Sequence, residues 1–155
     1  MAASAAVALL LAIALAGCGG GSAKVPDVSG LPLVDGAAVV ARAQECDRGT
    51  NAYCAVTLVV ADPRYRSSVD LLKDERRHLH AVGWSLANGY TGNENAADSP
   101  RHKLRVTYST AEGDLQGIEL GWIQRPRNIT LALSHSLFSR AASLSMMLEP
   151  GNGGG

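Results

Sequence analysis

Aromatic side chains are scarce. The 155 residues include one Phe, two Trp and four Tyr, so any core has to rest on Val, Leu, Ile and Ala. Net charge is missing as well. Fourteen basic and fourteen acidic side chains cancel, which removes the usual electrostatic reason to expect nucleic acid or an anionic surface as the main partner. No apolar run approaches the roughly twenty residues that a helix needs to cross a bilayer. The chain has no P-loop, no G-x-S-x-G, no S-x-x-K and no H-E-x-x-H, which excludes the commonest phosphate-binding, serine-hydrolase and zinc-peptidase signatures. There is no long-period repeat, and only three cysteines are present.

What is present begins at the N-terminus. Residues 5–16 are an apolar run of twelve, too short to span a membrane and the right length for the core of a secretory signal. It leads into Leu15-Ala16-Gly17-Cys18 and then Gly19-Gly20-Gly21-Ser22. This order of apolar run, small residues, cysteine and glycine spacer resembles the lipobox of bacterial lipoproteins. The resemblance implies a signal peptide over residues 1–17, cleavage between Gly17 and Cys18, and lipidation of the Cys18 sulfur. It further implies a membrane partner reached through an N-terminal lipid anchor on the extracytoplasmic face. Two or three acyl chains, at about 0.8 kcal/mol per buried methylene, hold a small domain firmly. One departure is that residues 1–4 carry no Lys or Arg. Residues 18–33, with Gly, Ser and two Pro, read as a lipidated N-terminus and flexible linker. Residues 34–150 read as one domain, and 151–155 as a disordered tail.

With Cys18 used by the anchor, Cys46 and Cys54 remain as an even pair. Outside a reducing cytosol such a pair reads as a disulfide, closing a short loop for roughly 2–3 kcal/mol in the chain-entropy model. A metal pair or a redox dithiol is the alternative. The spacing is not C-x-x-C, and no further cysteine is left to complete a zinc site.

The chain then alternates between strand and helix signals. Residues 54–60 are β-branched and apolar and read as a strand; residues 37–44 fit a strand or a short helix capped by Asp35, and the neighbouring strand favours a hairpin with the cysteines near its turn. Residues 67–83 read as a helix, with Ser67 and Asp70 placed as a capping box and Gly83 as the stop. Val69, Leu72, Leu79 and Val82 form its expected apolar face, widened by Leu71, and the charge run 73–77 its expected solvated face. The junction Leu79-His80-Ala81-Val82-Gly83-Trp84-Ser85-Leu86 loosely resembles one in small lipoproteins of high-GC Gram-positive bacteria, over about a third of the chain. A strand is expected over 84–88, a loop over 88–102, and a strand over 103–110 antiparallel to the first of these. Residues 114–124 show helical spacing weakened by Gly117 and Gly121. A helix is expected over 129–142; residues 144–149 either finish that helix or add a short last strand, with the alternation of Ser143 and Ser145 against Leu144 and Met146 favouring the strand.

Together these elements predict an α+β domain: a small antiparallel sheet of four or five strands with two helices on one face. A mostly helical C-terminal half packed on one hairpin is the runner-up. The chemistry search yields no catalytic set, metal site or cofactor. His78 and His80 are two apart, so on a helix they point roughly 200° away from each other and cannot share a metal. His102 and His135 are isolated in sequence. Two functions stay open. One is a non-enzymatic envelope module that binds a protein partner or small ligand. The other is a small envelope hydrolase or cell-wall enzyme that uses His102 or His135 with a carboxylate. One concave pocket with such a histidine within hydrogen-bond reach of a carboxylate or hydroxyl would favour the second.

Overall fold

A computed structural model of the chain describes residues 23–49, 52–87 and 94–151. The signal peptide expected over 1–17, the expected lipidation site Cys18 and residues 152–155 of the expected tail lie outside the described residues. Among those described, six strands and three α-helices follow one another: β1 (Ala38–Cys46), β2 (Cys54–Asp62), α1 (Ser68–Ala81), β3 (Ser85–Leu86), β4 (Glu94–Asp98), β5 (Leu104–Thr110), α2 (Ala111–Glu119), α3 (Arg127–Phe138) and β6 (Ala142–Pro150). The strands form a single antiparallel sheet in the order β1-β2-β6-β5-β4-β3. The class is α+β as expected, with one or two more strands and one more helix.

The sequence-last strand sits in the middle. β6 pairs with β2 on one side and β5 on the other, so both of its edges are paired. Leu144, Met146 and Leu148 join Val56, Leu58 and Val60 of β2 and Val106 and Tyr108 of β5 in one apolar layer. α1 lies over that layer. On the opposite face Val59 meets Ala111, Ile129 and Leu133 of α2 and α3, with Ala41 and Ala43 of β1 beside them. The helices therefore cover both faces, which corrects the expected placement on one. The reason is topological. The chain crosses from β2 to β3 over one face through α1, and from β5 to β6 over the other through α2 and α3. The mostly helical alternative fails because β6 is a full strand.

The hairpin of β1 and β2 carries Cys46 directly opposite Cys54, and the two form a disulfide. α1 begins as its sequence predicts: the Ser67 side chain accepts from the Asp70 N–H at 3.1 Å. It ends on Gly83 at φ 90°, with Gly83 N donating to His80 O and Trp84 N to Leu79 O, the paired bonds of a left-handed helix stop. Trp84 is buried at this junction.

The buried side of α1 differs from the expected one. Ser68, Leu71, Leu72, Glu75 and Leu79 face the core, while Val69 and Val82 are each 45 % exposed. Glu75 occupies a core position within the charge run, so that run is not wholly a solvated face. The strand expected over 84–88 is confined to Ser85–Leu86 among the described residues, and it does not pair with β5. β4 lies between them, inside the expected loop. Its Glu-Asn-Ala-Ala-Asp composition has little strand preference; pairing to β5 and burial of Ala96 and Ala97 hold it. α2 forms despite its glycines. Thr110 caps it by accepting from Gly113 N, and a Cβ at Gly117 would stand 3.0 Å from Ile123, so the small residue lets the returning chain pack.

Residues 23–33 are the described part of the expected linker, and they lie on the domain. Lys24 bridges in parallel to Tyr53, a 3-10 turn spans Val28–Gly30, and Leu31 is 8 % exposed within the α1-side core. Val28, Leu31, Leu33 and Val34 supply apolar cover without helical or strand period, which is why they read as spacer. No helix among the described residues is long and apolar enough to cross a membrane.

Candidate functional site

Register places charge in a row. Asp98 of β4 pairs with Arg105 of β5, and Arg105 pairs with Glu149 of β6. Their chain neighbours Ala97, Val106 and Leu148 point into the α1-side core, so alternation turns the charged three to the opposite face. There they form the floor of a depression of about 550 Å³, walled by Lys24, Tyr53 and His102 and closed at one end by Pro150 and Gly151. Arg105 Nη1 donates to Asp98 at 3.4 Å. The Tyr53 hydroxyl donates a long 3.4 Å bond to Glu149 Oε1. The Tyr53 phenol is held above its usual pKa, first by the negative charge of Glu149 and then by partial burial.

The wall holding His102 is strained. Arg101 and His102 have φ of 64° and 50°, a region that costs a non-glycine residue roughly 1–2 kcal/mol. Ser99 organises the turn. Its carbonyl accepts from His102 N, and its hydroxyl accepts from Leu104 N, both at 2.8 Å. Gly151 packs against it so closely that a Cβ would lie 2.0 Å from the His102 carbonyl oxygen. Gly151, the residue after β6, is therefore a packing residue.

The two candidate histidines are separated by this geometry. His102 shares the depression with Asp98 and Glu149, but among the described residues its side chain makes no hydrogen bond to a carboxylate or hydroxyl. His135 is exposed on α3, away from the depression. His78 is half-buried and His80 exposed on α1. Among the described residues no cluster of three or more His, Cys, Asp or Glu is placed to hold a metal. Comparison with protein families and with curated proteins gives a short answer. No family model and no curated protein matches the chain.

Buried polar groups also lie outside the depression. Glu75, with 0 % exposure, accepts from the Val34 N–H at 2.9 Å through Oε2; its Oε1 has no partner, and neither does the buried Tyr108 hydroxyl. Burial pushes the Glu75 carboxyl up to about 7, opposed by the Val34 hydrogen bond. Burial likewise raises Tyr108 to about 12. On the other face Asp114 accepts from Ser109 Oγ at 2.6 Å and Arg125 Nε at 2.9 Å, pinning the chain after α2 to β5.

The row Asp98, Arg105, Glu149 and its neighbours Tyr53 and Lys24 escaped the sequence reading. Their proximity depends on cross-strand register, and one of the strands was itself hidden. Glu75 carried a legible signal: it stands three to four residues from Leu71, Leu72 and Leu79, in the stripe where an apolar residue belongs.

Proposed function

We propose that the chain is a lipid-anchored, extracytoplasmic lipoprotein of the cell membrane whose domain is a non-enzymatic binding module, with the depression over Asp98, Arg105 and Glu149 as its ligand site. The lipobox-like Leu15-Ala16-Gly17-Cys18 supports the anchor. The Cys46–Cys54 disulfide fits an oxidising compartment. The observation that carries the binding reading is the row of opposite charges from three strands, set in a concavity of ligand size. Rigid strands present these groups with little freedom left to lose on binding.

One observation favours the hydrolase alternative: His102 and Asp98 line the same depression. Against it, a general base is normally oriented by a second hydrogen bond, and His102 has no such partner among the described residues. Two experiments decide. Cys18→Ala should move the protein from the detergent-extracted membrane fraction to the soluble one; an unchanged distribution refutes the anchor. The wild type should not hydrolyse ester, amide or cell-wall glycan substrates. Turnover that disappears in His102→Ala would replace the binding reading with the enzyme.

A further inference from the structure

Resting on the reading of a lipid-anchored binding module, we infer that its ligand is a membrane phospholipid with an ammonium-bearing head, the head seated in the polar depression and the first carbons of the acyl chains in an apolar one beside it. The second depression, about 300 Å³, exposes mainly carbon, from Val25, Pro26, Leu104 and Pro150 among others, with Asp27 and Lys103 also on its lining. It shares Lys24 and Pro150 with the first. A charged and a mainly apolar depression thus adjoin at Lys24 and Pro150, around the end of β6, the profile of an amphiphile and not of a wholly water-soluble solute. Both volumes fall in or at the edge of the range that holds small molecules.

The charges select the head. Lys24, Arg105 and His102 offer donors to a phosphate, and Glu149 and Asp98 offer acceptors to an ammonium. A purely anionic head would meet the negative charge of Glu149 and Asp98, whose partners within the domain are Tyr53 and Arg105, at a cost in affinity. The chain itself brings this end to the lipid. Lys24 is fixed where it leaves the domain, its carbonyl accepting from Cys54 N at 2.9 Å. Only six residue steps separate it from Cys18, a reach of at most about 20 Å even when fully extended. An acylated Cys18 therefore keeps both depressions close to the headgroup layer, with the opposite end of the sheet, where α1 and β6 begin, turned away.

The test uses the mature protein and a photoactivatable dihexanoyl phosphatidylethanolamine, supplied as a soluble monomer so that it reports on the site whether or not the chain is anchored. Labelled positions are mapped by peptide mass spectrometry, with the matching phosphatidylglycerol probe as control. Label should concentrate on peptides containing Val25, Pro26, Lys103 and Pro150. Glu149→Gln should cut it at least about tenfold through loss of a charged hydrogen-bond acceptor. Val25→Asp, at an exposed position, should cut it similarly by putting charge in the apolar half. Equal labelling by the two probes, label spread along the chain, or label insensitive to both variants would overturn the assignment. The mass of the N-terminal peptide reports Cys18 acylation in the same sample, so site labelling without acylation removes the anchor and leaves the lipid site standing.

Discussion

The two faces of the sheet solve different problems. Over the α1 face, apolar residues from β2, β5 and β6 meet α1, Trp84 and the N-terminal segment in one continuous core. Over the other face, α2 and α3 cover a smaller layer around Val59, Ile129 and Leu133, and beyond the helices the sheet carries Asp98, Arg105 and Glu149. The same strands supply both. Alternation along β5 puts Val106 in the core and Arg105 in the depression. Along β6 it does the same for Leu148 and Glu149. At this end of the sheet one side of β5 and β6 holds the fold while the other side lines the depression, so stability and binding should separate on mutation.

The largest expected effect sharpens that division. Leu144→Ala removes a fully buried side chain at the centre of the α1-side core. It should destabilise the domain by about 3 kcal/mol in urea titrations, within the usual range for such truncations. Glu75→Gln addresses a carboxylate buried beside the same core. Its folded pKa, about 7, stands above the ordinary value of 4.5, so the unfolded chain loses its proton first. Wild-type stability should therefore fall as pH rises from about 4.5 to 7 and level off above that, by about 3 kcal/mol at this group. Glu75→Gln keeps an oxygen for the Val34 N–H and should flatten that slope, gaining stability over wild type at pH 8 and little at pH 4.5. An equal slope in both proteins would show that Glu75 does not carry it.

Reduction of Cys46–Cys54, or its replacement by paired alanines, should lower stability by roughly 2–3 kcal/mol, read as a shift in the urea midpoint. The smallest effect belongs to the binding side. Glu149→Gln acts on a half-exposed residue with one long hydrogen bond and should change stability by less than about 0.5 kcal/mol while abolishing the ligand site. A large stability loss at Glu149 would break the comparison between the faces.

Local signals in the sequence were read where they decide structure by themselves. The disulfide hairpin, the Ser67 cap and Gly83 stop of α1, the alternating β5 and the late strand β6 all follow from spacing and turn chemistry. Signals that depend on partners were not. β4 has the composition of a loop and is a strand only because β5 pairs with it. Residues 28–34 cover the core without periodicity. The division of helices between faces follows from β6 entering between β2 and β5, which no local pattern announces. The site suffered most, because Asp98, Arg105 and Glu149 are far apart along the chain and meet only through that strand order. The proposal of Cys18 as an anchor rests on its flanking residues alone.

The account turns on a domain held at a membrane by Cys18 with its depression at the tethered end. The most direct measurement is the intact mass of the mature protein taken from its own membranes, before and after reduction. A mass that begins at Cys18, carries acyl chains and gains two hydrogens on reduction is the predicted result. A mass that still begins at Met1, without lipid and with free thiols, would contradict both the anchor and the compartment, and with them the reason for looking to lipid as the ligand.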